Sequence, residues 1–169
     1  YWETVLDPFS VMSTTGRVAL QNNRSYIGFE TNPVYHSESL KRLSESVLPE
    51  NSYNCHYDVS NSSSCDMSFV KDDSVGIVVT SPPYWNKANY GEYDGNIGGF
   101  EYYDDFLVEL QKVFAECYRV LKPGRKMCVV TANVNQNTKE HGLLTIPLAT
   151  DMTKVLQSCG YALINQVIW

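Results

Sequence analysis

The sequence predicts an α/β fold with a mainly parallel sheet and helices on both faces. Short, β-rich apolar runs alternate with segments of helical period, the signature of strands joined by crossover helices. The runs are almost continuously apolar, as strands buried on both faces must be. With 169 residues, 43% hydrophobic and 19% charged, the chain can fill one full-sized core.

The elements follow in order. Strands are expected at residues 4–6, 25–29, 53–57, 76–79, 126–131 and 162–168, each short and mostly apolar. A helix over 15–21 follows the first strand, with Thr14 or Thr15 placed to cap it. The helix over 33–48 carries Tyr35, Leu40, Leu43 and Val47 at helical spacing, and Pro33 suits its first turn. The helix over 103–121 repeats Phe106, Leu107, Leu110, Val113, Phe114, Cys117 and Leu121 on one face and stops at Lys122-Pro123-Gly124. A fourth, over 146–159, ends before Gly160. Residues 59–64, 86–99 and 133–142 read as loops, which in such a fold tend to carry function.

Composition excludes several classes. No apolar run reaches the roughly 18–20 residues of a membrane span, and no signal peptide is legible, so a cytoplasmic setting is expected. Cys55, Cys65, Cys117, Cys128 and Cys159 are odd in number and widely spaced, and read as reduced thiols. His36, His56 and His141 have no metal-ligand spacing, so no metal is expected. The formal net charge of −6 is unlike a domain that grips DNA unaided, so a local basic surface or another segment must supply the grip.

The most specific motif is Thr80-Ser81-Pro82-Pro83-Tyr84-Trp85, directly after an apolar strand. Two prolines fix φ and remove two backbone donors, leaving a stiff rim with an acceptor side chain, acceptor carbonyls and a flat ring. That rim suits an exocyclic base amine, a poor nucleophile because its lone pair is delocalised into the ring. Ser81 and the Pro82 carbonyl can accept from the amine, and the Tyr84 ring can stack on a base swung out of the helix. The same rim would serve any planar amide or amine. Ser81 has no hydrolase arrangement around it, since G-x-S-x-G is absent. The aromatic segment 90–103 fits plain packing as well as a cover over the base or cofactor.

These residues resemble the DNA amino-methyltransferases over nearly the whole chain. Ser81-Pro82-Pro83-Tyr84-Trp85 is similar to their catalytic motif in its cytosine-N4 form. Leu6-Asp7-Pro8-Phe9 with Thr14-Thr15-Gly16 resembles the cofactor motif, and Tyr26-Ile27-Gly28-Phe29-Glu30 with Asn32-Pro33 the strand that follows it. Tyr118-Arg119-Val120-Leu121-Lys122-Pro123-Gly124 completes the match. The resemblance implies the Rossmann-like fold of S-adenosylmethionine-dependent methyltransferases, with residues 1–169 a single catalytic domain and no separate target-recognition segment. Tyr1 at the start and the uncapped apolar run to Trp169 lead us to expect a fragment truncated at both ends.

It further implies S-adenosyl-L-methionine as cofactor and a DNA substrate with a flipped base. Ser81, Pro82, Pro83 and Tyr84 are the expected catalytic residues. Asp7, Phe9, Thr14, Thr15, Glu30, Asn32 and Asp58 are the expected cofactor residues, with Asp66 a rival to Asp58 for the adenine contact. The acids sit where an open parallel sheet holds a nucleoside, at strand ends about 20 residues apart. Cytosine N4 is the expected target; adenine N6, an RNA or protein amide, and a degenerate binding domain are the alternatives.

Two departures stand out. Val11 and Ser13 occupy the places of two family glycines, where a β-branched residue resists φ > 0. A weakened cofactor site, a re-routed loop and an inactive enzyme are the alternatives this leaves open. The cofactor motif also precedes the catalytic motif, whereas many enzymes with the S-P-P-Y-W form have the reverse order.

Overall fold

A computed structural model describes residues 3–46, 55–87, 95–138 and 142–168. The elements run β1 (Thr4–Asp7), α1 (Thr14–Gln21), β2 (Ser25–Phe29), α2 (Pro33–Ser44), β3 (Tyr57–Ser60), β4 (Val75–Thr80), then short 3-10 turns at Trp85–Lys87 and Ile97–Gly99. They continue with α3 (Tyr103–Val120), β5 (Leu121–Val129), β6 (Val134–Thr138), β7 (Gly142–Ile146) and α4 (Leu148–Ser158). Strands β1 to β5 form one parallel sheet in the order β3-β2-β1-β4-β5. β1 is central and strand order reverses between β1 and β4. Ligands in open parallel sheets bind in the crevice outside the carboxyl ends at that reversal.

Period-two alternation along β1 sends successive side chains to opposite faces. Val5 joins Ala19, Leu20, Tyr26, Leu43 and Val59 under α1 and α2. Leu6 joins Phe29, Val75, Val78, Val113, Cys117 and Val120 under α3. The long helix α3 buries Phe106, Leu110, Val113, Phe114, Cys117 and Val120, a stripe at three- and four-residue spacing. Asp104 and Asp105 in its first turn and Arg119 in its last complement the helix dipole. A third cluster, with Trp85, Ile97, Phe106, Phe114, Val134, Leu148 and Met152, fastens the segment after β4 to α3 and α4.

Several expectations are corrected. The third strand lies at Tyr57–Ser60 and not at 53–57, and the helix expected over 33–48 ends at Ser44, with residues 45 and 46 in a turn; residues 47–54 are outside the described set, as are residues 88–94 including Tyr90, and His141. Residues 162–168 form no strand and are exposed, with Leu163, Ile164, Val167 and Ile168 all open to solvent. Their apolar pattern suits a strand, but a strand also needs a hydrogen-bonded neighbour, and none pairs with them among the described residues. The loop expected at 133–142 instead contains an antiparallel hairpin, β6 with β7. β5 starts at Leu121, five residues early, because Lys122 to Arg125 bulge out of register against Val75 and Ile77. Neither Thr14 nor Thr15 caps α1: the cap position is Ser13, whose hydroxyl makes no bond to the helix.

Arg119 fastens the segment before β4 to α3. It donates to Glu116 at 2.9 and 2.7 Å and to the Met67 and Val70 carbonyls at 2.9 and 3.0 Å, and it pairs with Asp72. Glu116 also accepts from the Met67 N–H at 2.9 Å, and these bonds hold its carboxyl below the usual 4.5. A depressed acid stabilises above its unfolded pKa and loses that contribution as pH falls through its folded value. Glu116→Gln should therefore lower Tm at neutral pH by about 2–4 °C, the shift for roughly 1 kcal/mol after solvent screening. In a thermal melt series the gap should close on acidification; a gap independent of pH would contradict this.

Candidate functional site at the carboxyl ends of the strands

Asp7 ends β1, Glu30 follows β2 and Ser81 follows β4, so three expected site residues share one edge of the parallel sheet. Asp7 is buried, at 5% exposure. Its Oδ1 accepts from the Phe9 N–H at 3.1 Å and from the Thr80 hydroxyl at 2.7 Å, and Thr15 also donates to its carboxylate. Burial raises its pKa, opposed by these donors. Asp7 thus ties the turn after β1 to the start of α1 and to the last residue of β4. Thr14 is exposed and Thr15 half-buried at the head of α1.

Glu30 is half-buried, and burial raises its pKa too. Its carboxylate accepts from the Asn32 N–H at 2.7 Å and from the Val11 N–H. Asn32 is spent on structure: its Oδ1 caps α2 by accepting from the N–H groups of Val34 and Tyr35 at 2.9 and 3.4 Å. Asp58 lies within β3 beside Ile27, exposed and two residues short of the strand end. The carboxyl end of β3 is Ser60, followed by Asn61, whose amide donates to the Glu30 and Thr31 carbonyls at 2.7 and 3.2 Å. Asp66 is exposed and accepts from the Ser68 N–H at 2.9 Å, which lowers its pKa.

The turn between Asp7 and α1 keeps the backbone of a glycine pattern without the glycines. Val11 has φ 47° and Ser13 φ 52°. Each such residue costs roughly 1–2 kcal/mol outside glycine, so surrounding contacts must hold it. Two backbone bonds hold the turn: the Ser10 N–H donates to the Phe29 carbonyl at 3.0 Å and the Ser13 N–H to the Ser10 carbonyl at 2.7 Å.

On the β4 side, Thr80 is buried and Ser81 is exposed. Pro82 is buried, and Pro83 and Tyr84 are half-buried. The Ser81 and Tyr84 oxygens lie 3.4 Å apart. Trp85 anchors the rim: its indole N–H donates to the Phe100 carbonyl at 2.9 Å, and its ring lies 5.2 Å from that of Tyr103. Like Val11, it takes a positive φ, 52°. Thr131, just past the end of β5, contributes a buried hydroxyl with no partner among the described residues.

The donor set fits S-adenosyl-L-methionine. Two carboxylates at adjacent strand ends match an ammonium and a ribose diol, and the acceptor rim of β4 adjoins them. Sequence reasoning missed Thr80, which couples the two halves, and Ser10, Tyr26 and Ser39, which support the turn. Thr80 was findable as the residue between an apolar strand and Ser81. The others carry no local signal.

The sequence model of a family described as DNA methylase matches residues 3–41 and 75–169. The type II beta methyltransferase M.BslI of Bacillus sp. (strain NEB-606) is 25% identical over 92% of this chain. The type II methyltransferase M.SfiI of Streptomyces fimbriatus is 48% identical over 30% of it. The chain covers 18% and 12% of those two relatives, less than a fifth of either. A TehB-like SAM-dependent methyltransferase of solved structure from Corynebacterium glutamicum matches with a TM-score of 0.55 at 14% identity, covering 94% of this chain and 65% of that one. This likeness shows the fold alone: the Rossmann-like architecture of S-adenosylmethionine-dependent methyltransferases.

Proposed function

The chain belongs to the N6/N4 DNA methylase family, and from that premise we propose that it methylates an exocyclic amino group of a DNA base, cytosine N4, using S-adenosyl-L-methionine. The observation that carries the reading is the 2.7 Å bond from the Thr80 hydroxyl to Asp7. It couples the turn after β1 to the residue that introduces Ser81, so a cofactor held at one is held beside the other. The Ser81-Trp85 form of the rim supports cytosine over adenine, and the type II relatives support a restriction-modification setting. Among the described residues no helix is long and apolar enough to cross a membrane.

In this reading the carboxylates of Glu30 and Asp7 hold the polar ends of the cofactor, which supplies an electrophilic methyl group on a sulfonium. The Ser81 hydroxyl and Pro82 carbonyl accept from the N–H groups of the target amine and draw its nitrogen toward tetrahedral geometry. The Tyr84 ring stacks on the flipped base. No general base is needed before attack, because the amine becomes cationic on methylation and then loses its proton to solvent.

Removing the Glu30 carboxylate should weaken cofactor binding about 10- to 100-fold, the worth of a hydrogen bond to a charged group. Calorimetry on Glu30→Ala checks this, and unchanged affinity would remove Glu30 from the site. The activity itself is tested by incubating the protein with duplex DNA and S-adenosyl-L-methionine, digesting to nucleosides and weighing the products. N4-methylcytosine is expected. N6-methyladenine would move the target to adenine, and a base methylated on ring carbon would overturn the amine chemistry.

A further inference from the structure

The turn that carries Val11 and Ser13 rests on a line of hydroxyls. Tyr26, at 1% exposure, donates to Ser10 Oγ at 2.9 Å. Ser10 and Ser13 share a 2.7 Å bond, Ser13 donates to Ser39 Oγ at 3.0 Å, and Ser39 donates to the Val11 carbonyl at 2.8 Å. Since Ser13 gives its proton to Ser39, the Ser10 proton must point to Ser13, and the four donors run in one direction. Ser10, Ser13 and Ser39 are buried, so water does not readily replace the bonds among the four hydroxyls, while the bond to the Val11 carbonyl is part-buried. Arg42 adds a bond from α2 to the Met12 carbonyl at 3.1 Å.

Space for the relay is built in. A Cβ on Gly28 would stand 2.7 Å from the Tyr26 hydroxyl and 2.8 Å from Ser10 Oγ, and one on Gly16 would stand 2.6 Å from the Tyr26 ring. Two glycines thus give up side chains so that Tyr26 can pass beneath the turn. The turn in turn presents the Val11 N–H to the Glu30 carboxylate.

We propose that the relay Tyr26–Ser10–Ser13–Ser39 replaces conformational freedom with hydrogen bonds, holding Val11 and Ser13 at φ > 0 so that Glu30 is aimed for the cofactor. Tyr26 and Ser39 are then positioning residues for S-adenosyl-L-methionine. This rests on the cofactor reading above. Its distinctive consequence is that glycine at 11, which leaves all four relay hydroxyls in place, relieves the need for the Ser39 bond to the residue 11 carbonyl, because glycine adopts this backbone unaided.

The test is a cycle. Affinity for S-adenosyl-L-homocysteine and Tm are measured for the parent, Ser39→Ala, Val11→Gly, and the two together. Ser39→Ala should raise Kd roughly tenfold in the parent and by less than about twofold in the glycine background, a coupling typical of one hydrogen-bond network. Equal losses in both backgrounds, or no loss in the parent, would overturn the proposal. Tyr26→Phe, which deletes one hydroxyl and little volume, is run beside it under the same criterion. A Ser39→Ala protein that folds only in the glycine background supports the relay; one that folds in neither is decided by Tyr26→Phe. A parent that binds no cofactor analogue overturns the cofactor reading instead. The relay is then judged on Tm, where Ser39→Ala must cost the parent more than the glycine background.

Discussion

Replacing Asp7 with alanine is expected to lower the unfolding temperature by roughly 5–15 °C, since about 2–5 kcal/mol is at stake. The side chain is buried and accepts from Thr80, Phe9 and Thr15, so alanine leaves a buried donor on β4 and part-buried donors on the turn and α1 without this acceptor. Each costs about 1–3 kcal/mol, partly offset because a desolvated charge is removed as well. Asp7→Asn keeps an acceptor oxygen and should fold with a much smaller loss, while surrendering the charge proposed to meet the cofactor ammonium. The pH dependence separates the two effects. Burial raises the Asp7 pKa above 3.8, so the native state holds its proton more tightly than the unfolded chain. That contribution is present at low pH and is lost as pH rises through the raised folded value. Asp7→Asn should lack this slope. Thermal melts against pH check it, and an Asp7→Ala protein as stable as the parent would show that the tie between β1 and β4 is not made.

Ser81→Ala is expected to slow single-turnover methyl transfer about 10²- to 10³-fold, the effect of deleting one preorganised hydrogen-bond partner of a transition state. Ser81 is exposed just past the end of β4, whereas the tie to the turn after β1 runs through buried Thr80. Cofactor affinity should therefore stay within experimental error, the pattern of an interaction made mainly in the transition state. Tyr84→Ala should weaken retention of the flipped base by about 1–3 kcal/mol, by analogy with stacking in single-strand sites. Tyr84→Phe should be mild, because among the described residues the hydroxyl's partner is Ser81, at a long 3.4 Å. If Ser81→Ala and Tyr84→Ala both transfer methyl at the parent rate with normal cofactor binding, the rim is not the catalytic element.

The sheet and the site edge were legible because they depend on local pattern. Apolar runs ending in Asp7, Phe29 and Val79 locate the carboxyl ends of β1, β2 and β4, and the stripe from Phe106 to Val120 locates α3. What failed depends on partners distant in sequence. Residues 162–168 have a strand's composition but no neighbour to pair with, and β6 was hidden because Asn135, Gln136 and Asn137 carry no apolar alternation. Asp58 was displaced from the site by a strand that starts later than its composition suggests. The conformation at Val11 and Ser13 was unreadable for the same reason: what enforces it comes from Tyr26 on β2 and Ser39 on α2.

In the proposed function one crevice, at the carboxyl ends of β1, β2 and β4, serves both cofactor and target amine. A crystal structure of the protein with S-adenosyl-L-homocysteine tests it most directly. The ligand is expected at those strand ends, touching Glu30 and the turn after Asp7 and open toward Ser81. A ligand bound at the opposite end of the sheet, or on the outer face of α2, would contradict it.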